Sequence, residues 1–446
     1  MNGKIFKRKI YSKLLEWKNN RNGKSALLIE GARRIGKSTI VEEFAKNEYE
    51  TYIIIDFSNL DPKVNALFDE MYDLDSFFLR LQFFTNVTLY ERKSLIVFDE
   101  VQFRPEARQA IKHLVAHGKY DYIETGSLIS IRKNVEKILI PSEETKLEMY
   151  PMDYEEFRWA LGDETTPMLL RDSFEKRRSL GDDLNRKLMR DFRLYMLIGG
   201  MPQVVDVFLE TNNFTAVDNQ KRDILSLYEE DFNKIDITNK ATKLFDNIPS
   251  QLSKNKTRYR INGVLNNQAI SQVIETINNM EDSKTVNIAY NVSDPGVGMN
   301  LSVNTEAFKL FLLDTGLFIT LAFKEKDITE NVIYEQLLSD KLSVNLGYVY
   351  ENVVAQMLKA SGNDLFYYTF KNENSNHYSE IDFLISRKNK ICPIEVKASG
   401  YKRHASLDKF SVKFSNRIGE KYLVYTKDLR KDGDLIMLPV YMVPFI

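Results

Sequence analysis

The residues whose types and spacing most directly suggest chemistry lie at positions 31–38, GARRIGKS. This segment fills every fixed position of the pattern G-x-x-x-x-G-K-[ST], in which two glycines let the backbone approach phosphate groups closely. Backbone N–H groups and a helix N-terminus would surround the anion, Lys37 would reach the β- and γ-phosphates, and the Ser38 hydroxyl would bind Mg²⁺. The predicted nucleotide-binding loop consists of Gly31, Ala32, Arg33, Arg34, Ile35, Gly36, Lys37, Ser38 and Thr39.

Two adjacent carboxylates, Asp99 and Glu100, follow the apolar run at 94–98. A buried strand that ends in Asp-Glu often accompanies a phosphate-binding loop, because one carboxylate helps to hold Mg²⁺ and the other polarises the attacking water. We predict that Asp99 supports the metal ion, together with Ser38, and that Glu100 is the general base. The alternative for this segment is a strand that ends in a solvated acidic turn.

A further predicted strand at 121–127 ends in small hydroxylated residues, Thr125 and Ser127. In nucleotide switches, a polar residue at such a strand end contacts the γ-phosphate or the attacking water. We predict this catalytic role for Thr125 and name Ser127 as a second candidate. An ordinary strand-end turn remains the alternative.

These side chains need a scaffold that brings several strand ends to one edge. Apolar and β-branched runs predict five strands, at 25–30, 51–56, 94–100, 121–127 and 145–149. Helical patterns alternate with these strands, which predicts a doubly wound parallel α/β sheet. In such a sheet, ligands bind at the carboxyl ends of the strands, where the candidate residues lie.

The C-terminal part of the chain carries a second constellation. Predicted strands at 380–385 and 391–397 would form a hairpin. Glu395 and Lys397 are two residues apart on the second strand, so their side chains point to the same face. Asp382, near the start of the first strand, would meet them.

This arrangement resembles the PD-(D/E)xK nuclease fold, in which an Asp and a Glu bind divalent metal ions and the Lys positions or activates water. The resemblance implies catalytic roles for Glu395 and Lys397, and metal ligation by Asp382, Glu395 and Glu351, the last on a predicted helix at 348–355. Oxygen ligands of this kind suit Mg²⁺ or Mn²⁺. Ile381 stands where the fold usually has proline, which weakens the prediction slightly. The alternative is a partly buried strand that ends in a Glu–Lys pair.

Composition is that of an ordinary globular protein: 446 residues, 43% hydrophobic, 28% charged, with a net charge of −1. This length predicts two to four domains. One cysteine excludes an internal disulfide framework, and one cysteine with four histidines argues against a structural zinc site. We find no signal-peptide core or membrane-spanning run, and predict a cytoplasmic protein without a membrane partner.

Charge is unevenly distributed. The segment at 387–434 has 13 lysines and arginines against 6 acidic residues, a net charge of +7. Such a segment can attract phosphates, although a solvated surface is the simpler interpretation.

Several motifs together resemble one group of bacterial and archaeal AAA-type ATPases. They are the segments at 31–38, 99–102 (DEVQ), 125–127 (TGS), 150–157 (YPMDYEEF) and 198–202 (IGGMP). In that group a C-terminal region of unknown function follows the ATPase. The resemblance implies ATP as the nucleotide, AAA-type assembly into a homo-oligomer, and a winged-helix unit within residues 203–300. Such a unit would contact DNA, dock a protein or serve only as structure.

We therefore predict an α/β fold in four parts: a P-loop ATPase domain with a parallel sheet flanked by helices (1–155), a helical lid or connector (156–202), a winged-helix-like domain (203–300) and an α/β nuclease-like domain (301–446). The predicted function is Mg²⁺-dependent ATP hydrolysis coupled to a DNA-interacting C-terminal domain. The alternative is an ATP-switched binding protein that recognises DNA or a protein partner without cleavage. A small-molecule kinase would share the phosphate-binding loop, but no acceptor pocket is evident in the sequence.

Overall fold

The five strands predicted around the phosphate-binding loop form one parallel sheet. They are β1 (Ala26–Glu30), β2 (Thr51–Asp56), β3 (Ser94–Asp99), β4 (Asp121–Gly126) and β5 (Glu144–Glu148), in the order β2-β3-β4-β1-β5. Because β4 separates β1 from β3, Thr125 near the end of β4 lies between the phosphate-binding loop and Asp99. The prediction of a parallel α/β sheet is confirmed.

The computed structural model describes residues 4–126, 141–254, 256–265, 268, 270–325, 335, 337–339, 347–371 and 378–446. Its contacts divide the chain into two units, Met1–Tyr150 with Asp282–Lys284, and Pro151–Glu281 with Thr285–Ile446. The candidate Ser127 lies outside the described residues.

Among the described residues, five helices accompany the first sheet: α1 (Ile10–Arg21), α2 (Lys37–Glu48), α3 (Pro62–Leu67), α4 (Leu74–Thr85) and α5 (Pro105–His117). The apolar faces of α3, α4 and α5 pack against the sheet. Phe77 and Leu81 of α4 and Ile111 of α5 join Phe98 of β3 in one buried cluster. This packing explains the helical spacing of apolar residues, because one face of each helix must be removed from water.

The second unit begins with α6 (Tyr154–Ala160), whose first turn is fixed by a capping box. The Asp153 carboxylate accepts a hydrogen bond from the Glu156 N–H at 2.9 Å, and the Glu156 carboxylate accepts one from the Asp153 N–H at 3.1 Å. These contacts satisfy two N–H groups that have no partner within the helix. The further helices are α7 (Thr165–Glu175), α8 (Asp182–Ile198), α9 (Pro202–Thr211), α10 (Phe214–Ile235), α11 (Lys240–Asp246), α12 (Ile248–Ser253), α13 (Ile274–Asp282), α14 (Thr315–Ala322), α15 (Gly347–Ala360) and α16 (Ala405–Lys413).

Helices α8 and α9 are separated by a break within the segment 198–202 and meet at 115°. The Gly200 N–H donates a hydrogen bond to the Asp314 carboxylate at 2.6 Å. The Lys221 ammonium donates to the Leu197 carbonyl at 2.9 Å, so the last carbonyls of α8 also have a partner. The break is therefore a packed junction of the second unit.

A mixed sheet of eight strands forms the rest of the second unit, in the order β12-β13-β11-β10-β9-β8-β6-β7. The strands are β6 (Val286–Val292), β7 (Val303–Leu312), β8 (Leu365–Lys371), β9 (Tyr378–Arg387), β10 (Lys390–Lys397), β11 (Lys421–Tyr425), β12 (Arg430–Asp432) and β13 (Leu435–Pro439). The predicted hairpin is formed by β9 and β10, which pair in antiparallel register. Its two turn residues, Lys388 and Asn389, both have positive φ, as a tight hairpin requires.

One segment differs from expectation. Residues 286–292 lie within the predicted winged-helix-like domain, but they form β6, which pairs with β8 of the C-terminal sheet. Long-range strand pairing, which a local pattern does not reveal, accounts for the difference. The winged-helix unit and the domain limits at 155, 202 and 300 stay predictions.

Among the described residues, no single helix has the length and apolar character to cross a membrane. The bent pair α8 and α9 passes that test only when the two are taken together.

Candidate functional site

The backbone of the phosphate-binding loop is shaped by its two glycines. Gly36, which precedes α2, has φ 88°, a left-handed conformation that other residues adopt only at a cost. A Cβ atom on Gly31 would lie 2.5 Å from the Met149 carbonyl oxygen, so no side chain fits there. Arg8 adds support from the N-terminal segment, since its guanidinium donates to the Ile35 carbonyl at 2.9 Å.

Lys37 is the first residue of α2 and is buried. Its ammonium donates hydrogen bonds to the carbonyls of Gly31 at 3.0 Å and Ala32 at 2.9 Å. Burial lowers the pKa of Lys37 to about 8, and the nearby carboxylates of Glu100 and Asp99 oppose that shift. A desolvated ammonium held at the loop is well placed to attract a phosphate group.

A shared carboxylate oxygen joins the start of α2 to the ends of β3 and β4. The Ser38 hydroxyl donates to Oδ1 of Asp99 at 2.9 Å, and the Thr125 hydroxyl donates to the same oxygen. The structure thus brings together the residues predicted for Mg²⁺, Ser38 and Asp99, and the predicted sensor Thr125. Hydroxyl and carboxylate oxygens form a donor set that suits Mg²⁺, so these residues fit the predicted metal ion.

Glu100, the predicted base, follows β3 directly and has φ 54°. A left-handed non-glycine residue is strained, and such residues cluster at functional sites. Its N–H points to the Thr125 hydroxyl at 3.4 Å, and its carboxylate accepts a hydrogen bond from the Gln102 amide. Gln102 is 4% exposed, so the Glu100 carboxylate is held by a buried group.

The remaining predicted loop residues contribute in different ways. Ala32 and Ile35 are buried, so only their backbone can face a ligand. Arg34 and Thr39 are exposed, and Arg33 is half-buried. The assignment of these residues to nucleotide binding stays a prediction.

The C-terminal candidates also lie close together. The Asp382 carboxylate of β9 accepts a hydrogen bond from the Val396 N–H of β10 at 2.7 Å. The Lys397 ammonium lies 2.9 Å from Oε1 of Glu395. Burial lowers the pKa of Lys397, but the hydrogen-bonded Glu395 carboxylate outweighs this effect and raises the pKa above its usual value. Burial raises the pKa of Glu351 on α15 to about 8, while the Lys309 charge opposes that shift and the Asp382 charge adds to it.

A lysine that was not predicted enters this group. The Lys309 ammonium of β7 lies 2.5 Å from Oε1 of Glu380 and 3.8 Å from Oε2 of Glu351. Among the residues that the structure describes, no three histidine, cysteine or acidic side chains are placed to hold a metal ion. In this arrangement Glu351, Asp382 and Glu395 are therefore close to lysines but do not form a metal centre, and their predicted ligation stays a prediction.

Comparison with known sequences identifies the first part of the chain. A family model described as an AAA domain matches residues 23–158. These residues form an AAA-type P-loop ATPase domain, which binds ATP. Two domains of unknown function match residues 189–327 (DUF8612) and 346–442 (DUF4143). No curated relative matches the sequence.

Solved structures give distant likenesses. A Walker-type ATPase of Pyrococcus abyssi is 14% identical, with 71% of this chain and 96% of that chain covered and a TM-score of 0.42. A signal transduction ATPase with numerous domains (STAND) and a tetratricopeptide repeat sensor, from Pyrococcus horikoshii, is 13% identical, with 80% and 48% covered and a TM-score of 0.28. Because both TM-scores are low, these likenesses do not enter the argument for function.

Four residues at the two sites were missed from sequence. At the first site these are Arg8, which holds the phosphate-binding loop, and Gln102, which holds Glu100. Gln102 lies within the DEVQ motif, but its hydrogen bond with Glu100 cannot be inferred from the sequence. In the C-terminal site they are Lys309 and Glu380. A lysine within the apolar run at 308–313 was the available signal, because a charge in a buried strand needs a partner.

Proposed function

We propose that the AAA domain hydrolyses ATP in a Mg²⁺-dependent reaction. The observation that carries this proposal is the convergence of the Ser38 and Thr125 hydroxyls on one oxygen of Asp99, beside the buried ammonium of Lys37. Phosphate binding requires positive charge and N–H groups at the loop, and hydrolysis requires a base near the γ-phosphate. Both sets of groups lie at the carboxyl ends of β1, β3 and β4.

Each residue has a definite task in this proposal. Mg²⁺, held by Ser38 and Asp99, supplies positive charge beside the phosphates when it is bound. Lys37 exchanges its carbonyl partners for phosphate oxygens, so no buried charge is left unpaired. The Glu100 carboxylate accepts a proton from the attacking water, and the Thr125 hydroxyl orients that water or the γ-phosphate.

Steady-state ATP hydrolysis by the full chain tests this proposal. Wild-type protein should release phosphate from ATP with Mg²⁺, and added EDTA should stop the release. Phosphate release that continues unchanged in EDTA would contradict the proposed dependence on Mg²⁺. Absence of release in the presence of ATP binding would favour the ATP-switched binding protein instead.

The second candidate function concerns the C-terminal domain, which we propose has a nuclease-like fold and interacts with DNA under control of the nucleotide state. Support comes from the hairpin β9–β10, where Asp382 contacts the backbone of Val396 and Lys397 pairs with Glu395. The net positive charge of residues 387–434 fits a phosphate-rich partner. Cleavage and recognition without cleavage both remain compatible with this placement.

An assay for DNA cleavage separates these two outcomes. Purified full chain is incubated with linear and circular DNA and Mg²⁺ or Mn²⁺, with and without ATP, beside the variant Glu395→Ala/Lys397→Ala. Cutting that is lost in the variant would make the protein a nuclease, and dependence on ATP would show coupling. DNA binding without cutting would assign recognition only. The absence of both binding and cutting would refute a DNA partner.

A further inference from the structure

Lys309 is a buried cation within an apolar strand. It lies on β7 between Phe308 and Leu310, both buried, and Lys309 itself is 5% exposed. Its ammonium nitrogen lies 2.5 Å from Oε1 of Glu380. Burial removes the hydration of a charge, so a lysine in this position needs carboxylate partners.

Those partners come from β9 and α15. Glu380 and Asp382 lie two residues apart on β9, and Oε2 of Glu351 lies 3.8 Å from the Lys309 ammonium. Although burial lowers the pKa of Lys309, the charges of Glu380, Glu351 and Asp382 raise it well above its usual value. Three carboxylates thus act on one lysine. We call Lys309, Glu351, Glu380 and Asp382 the carboxylate cluster.

The other lysine of the site is already engaged. Lys397 pairs with Oε1 of Glu395, which is 4% exposed. The second oxygen of Glu395, Oε2, is buried and has no hydrogen-bond partner among the described residues. Lys397 is therefore paired with Glu395, whereas the cation beside Glu380 is Lys309.

Sheet order explains why Lys309 reaches the cluster. Strand β7 lies at one edge of the sheet, separated from β9 by β6 and β8, and α15 packs against β7. The Lys309 ammonium lies 5.4 Å from the centre of the Tyr367 ring on β8, so its side chain extends across the sheet toward β9. The long side chain of lysine allows Lys309 on β7 to reach Glu380 on β9, and a shorter cationic side chain would not reach it.

We propose that Lys309 is the resident cation of the carboxylate cluster and that its ammonium keeps Mg²⁺ and Mn²⁺ out of the C-terminal site. A divalent ion that entered would meet a like charge at close range and carboxylates whose charge is already offset. Because no three acidic side chains of the described residues are placed to hold a metal ion, binding after removal of the lysine charge requires Glu351, Glu380 and Asp382 to move toward the ion. The inference takes its choice of metal from the nuclease-like candidate above, and it is independent of ATP hydrolysis.

Titration of nucleotide-free full chain with Mn²⁺, followed by electron paramagnetic resonance of the free ion, tests the inference. Lys309→Met should gain one site that binds Mn²⁺ at least about tenfold tighter than any Asp382-dependent site of the wild type, because a like charge has been removed. Lys309→Arg keeps the charge and is the matched control, which should not gain the site. Lys309→Met/Asp382→Asn should lose it, whereas Mn²⁺ bound at the phosphate-binding loop would persist in every variant.

Thermal unfolding gives an independent readout. Mn²⁺ should raise the Tm of Lys309→Met by more than it raises the Tm of Lys309→Arg, because ion bound at the phosphate-binding loop stabilises both variants and only Lys309→Met has unpaired carboxylates to neutralise. A folded Lys309→Met that gains no site would overturn the inference. If Lys309→Met does not fold, the test is made on the wild type. Tight Mn²⁺ binding by the wild type that Asp382→Asn abolishes would refute the role of Lys309 as resident cation, and the absence of such binding would support that role. Metal-dependent DNA cleavage that is lost in Glu395→Ala/Lys397→Ala would also overturn the inference, whereas DNA binding without cleavage agrees with it. Absence of DNA binding would refute the DNA partner and leave the result of the Mn²⁺ titration unchanged.

Discussion

The Ser38 hydroxyl donates a hydrogen bond to Oδ1 of Asp99 at 2.9 Å, across 61 positions of the chain. This contact joins the phosphate-binding loop on β1 to the end of β3, although β4 lies between the two strands. Two of the oxygen atoms expected to hold Mg²⁺ are therefore adjacent in the folded protein. Such preorganisation reduces the cost of forming the site.

Lys37→Ala should weaken ATP binding by at least about 100-fold, since the variant lacks an ammonium that would make charge-assisted bonds with phosphate oxygens. Titration with a fluorescent ATP analogue measures the change. Lys46→Ala is the matched control, because Lys46 lies on the same helix, is exposed and pairs only with Glu42 among the contacts described. Equal losses in the two variants would show that helix α2, and not the loop lysine, determines binding.

Glu100→Gln should bind ATP as tightly as the wild type but hydrolyse it about 100-fold to 10,000-fold more slowly, because an amide cannot accept the proton of the attacking water. Binding and phosphate release are measured on the same preparation. Glu106→Gln, at an exposed position in the first turn of α5, is the control. Turnover by Glu100→Gln at the wild-type rate would remove Glu100 from the role of base.

The sequence was sufficient for the first site because its signals are local. Lys37 and Ser38 sit at fixed positions of one short motif, and Asp99 ends an apolar run. Each strand needs only its own pattern to be recognised, and parallel strands bring their carboxyl ends to one edge. The supporting groups, such as Arg8 and Gln102, could not be predicted, because their contacts depend on tertiary packing.

The C-terminal site shows the same limit more strongly. The hairpin that carries Asp382 and Glu395 was predictable, since its two strands are adjacent in sequence. The position of Lys309 beside Glu380 was not predictable, because it depends on the pairing of β6 with β8, two strands that are distant along the chain. A local pattern determines which face a residue occupies, but it does not determine which strands become neighbours.

Thr125→Val should lower kcat about 10-fold to 100-fold, since it removes a hydroxyl that donates to the Asp99 carboxylate, and a hydrogen bond to a charged group contributes about 1.5–3 kcal/mol. ATP affinity should change less, because Lys37 and the loop backbone are intact. Thr125→Ser retains the hydroxyl and should recover most of the rate. Equal kcat values for the valine and serine variants would assign Thr125 a packing role only.

Glu124, the neighbour of Thr125 on β4, provides a test of how the sheet tolerates a buried acid. Glu124 is fully buried, and burial raises its pKa well above the usual value, with the charge of Glu144 adding to the shift and Arg108 opposing it. Arg108 is engaged with Glu144 through two hydrogen bonds of 2.9 Å. Glu124 is therefore protonated in the folded protein at a pH where the unfolded chain has lost that proton.

The sign of the pH dependence follows from this difference. The contribution of Glu124 to stability is fully present below about pH 4.5 and is lost as pH rises toward its folded pKa, because unfolding then releases a proton. Glu124→Gln removes this loss, so its free energy of unfolding relative to the wild type should increase with pH, by up to about 1.4 kcal/mol per pH unit. Urea unfolding at several pH values between 5 and 8 measures the trend, with exposed Glu91→Gln as the control. If the free energies of unfolding of wild type and Glu124→Gln differ by a constant amount across this pH range, Glu124 is ionised in the folded sheet.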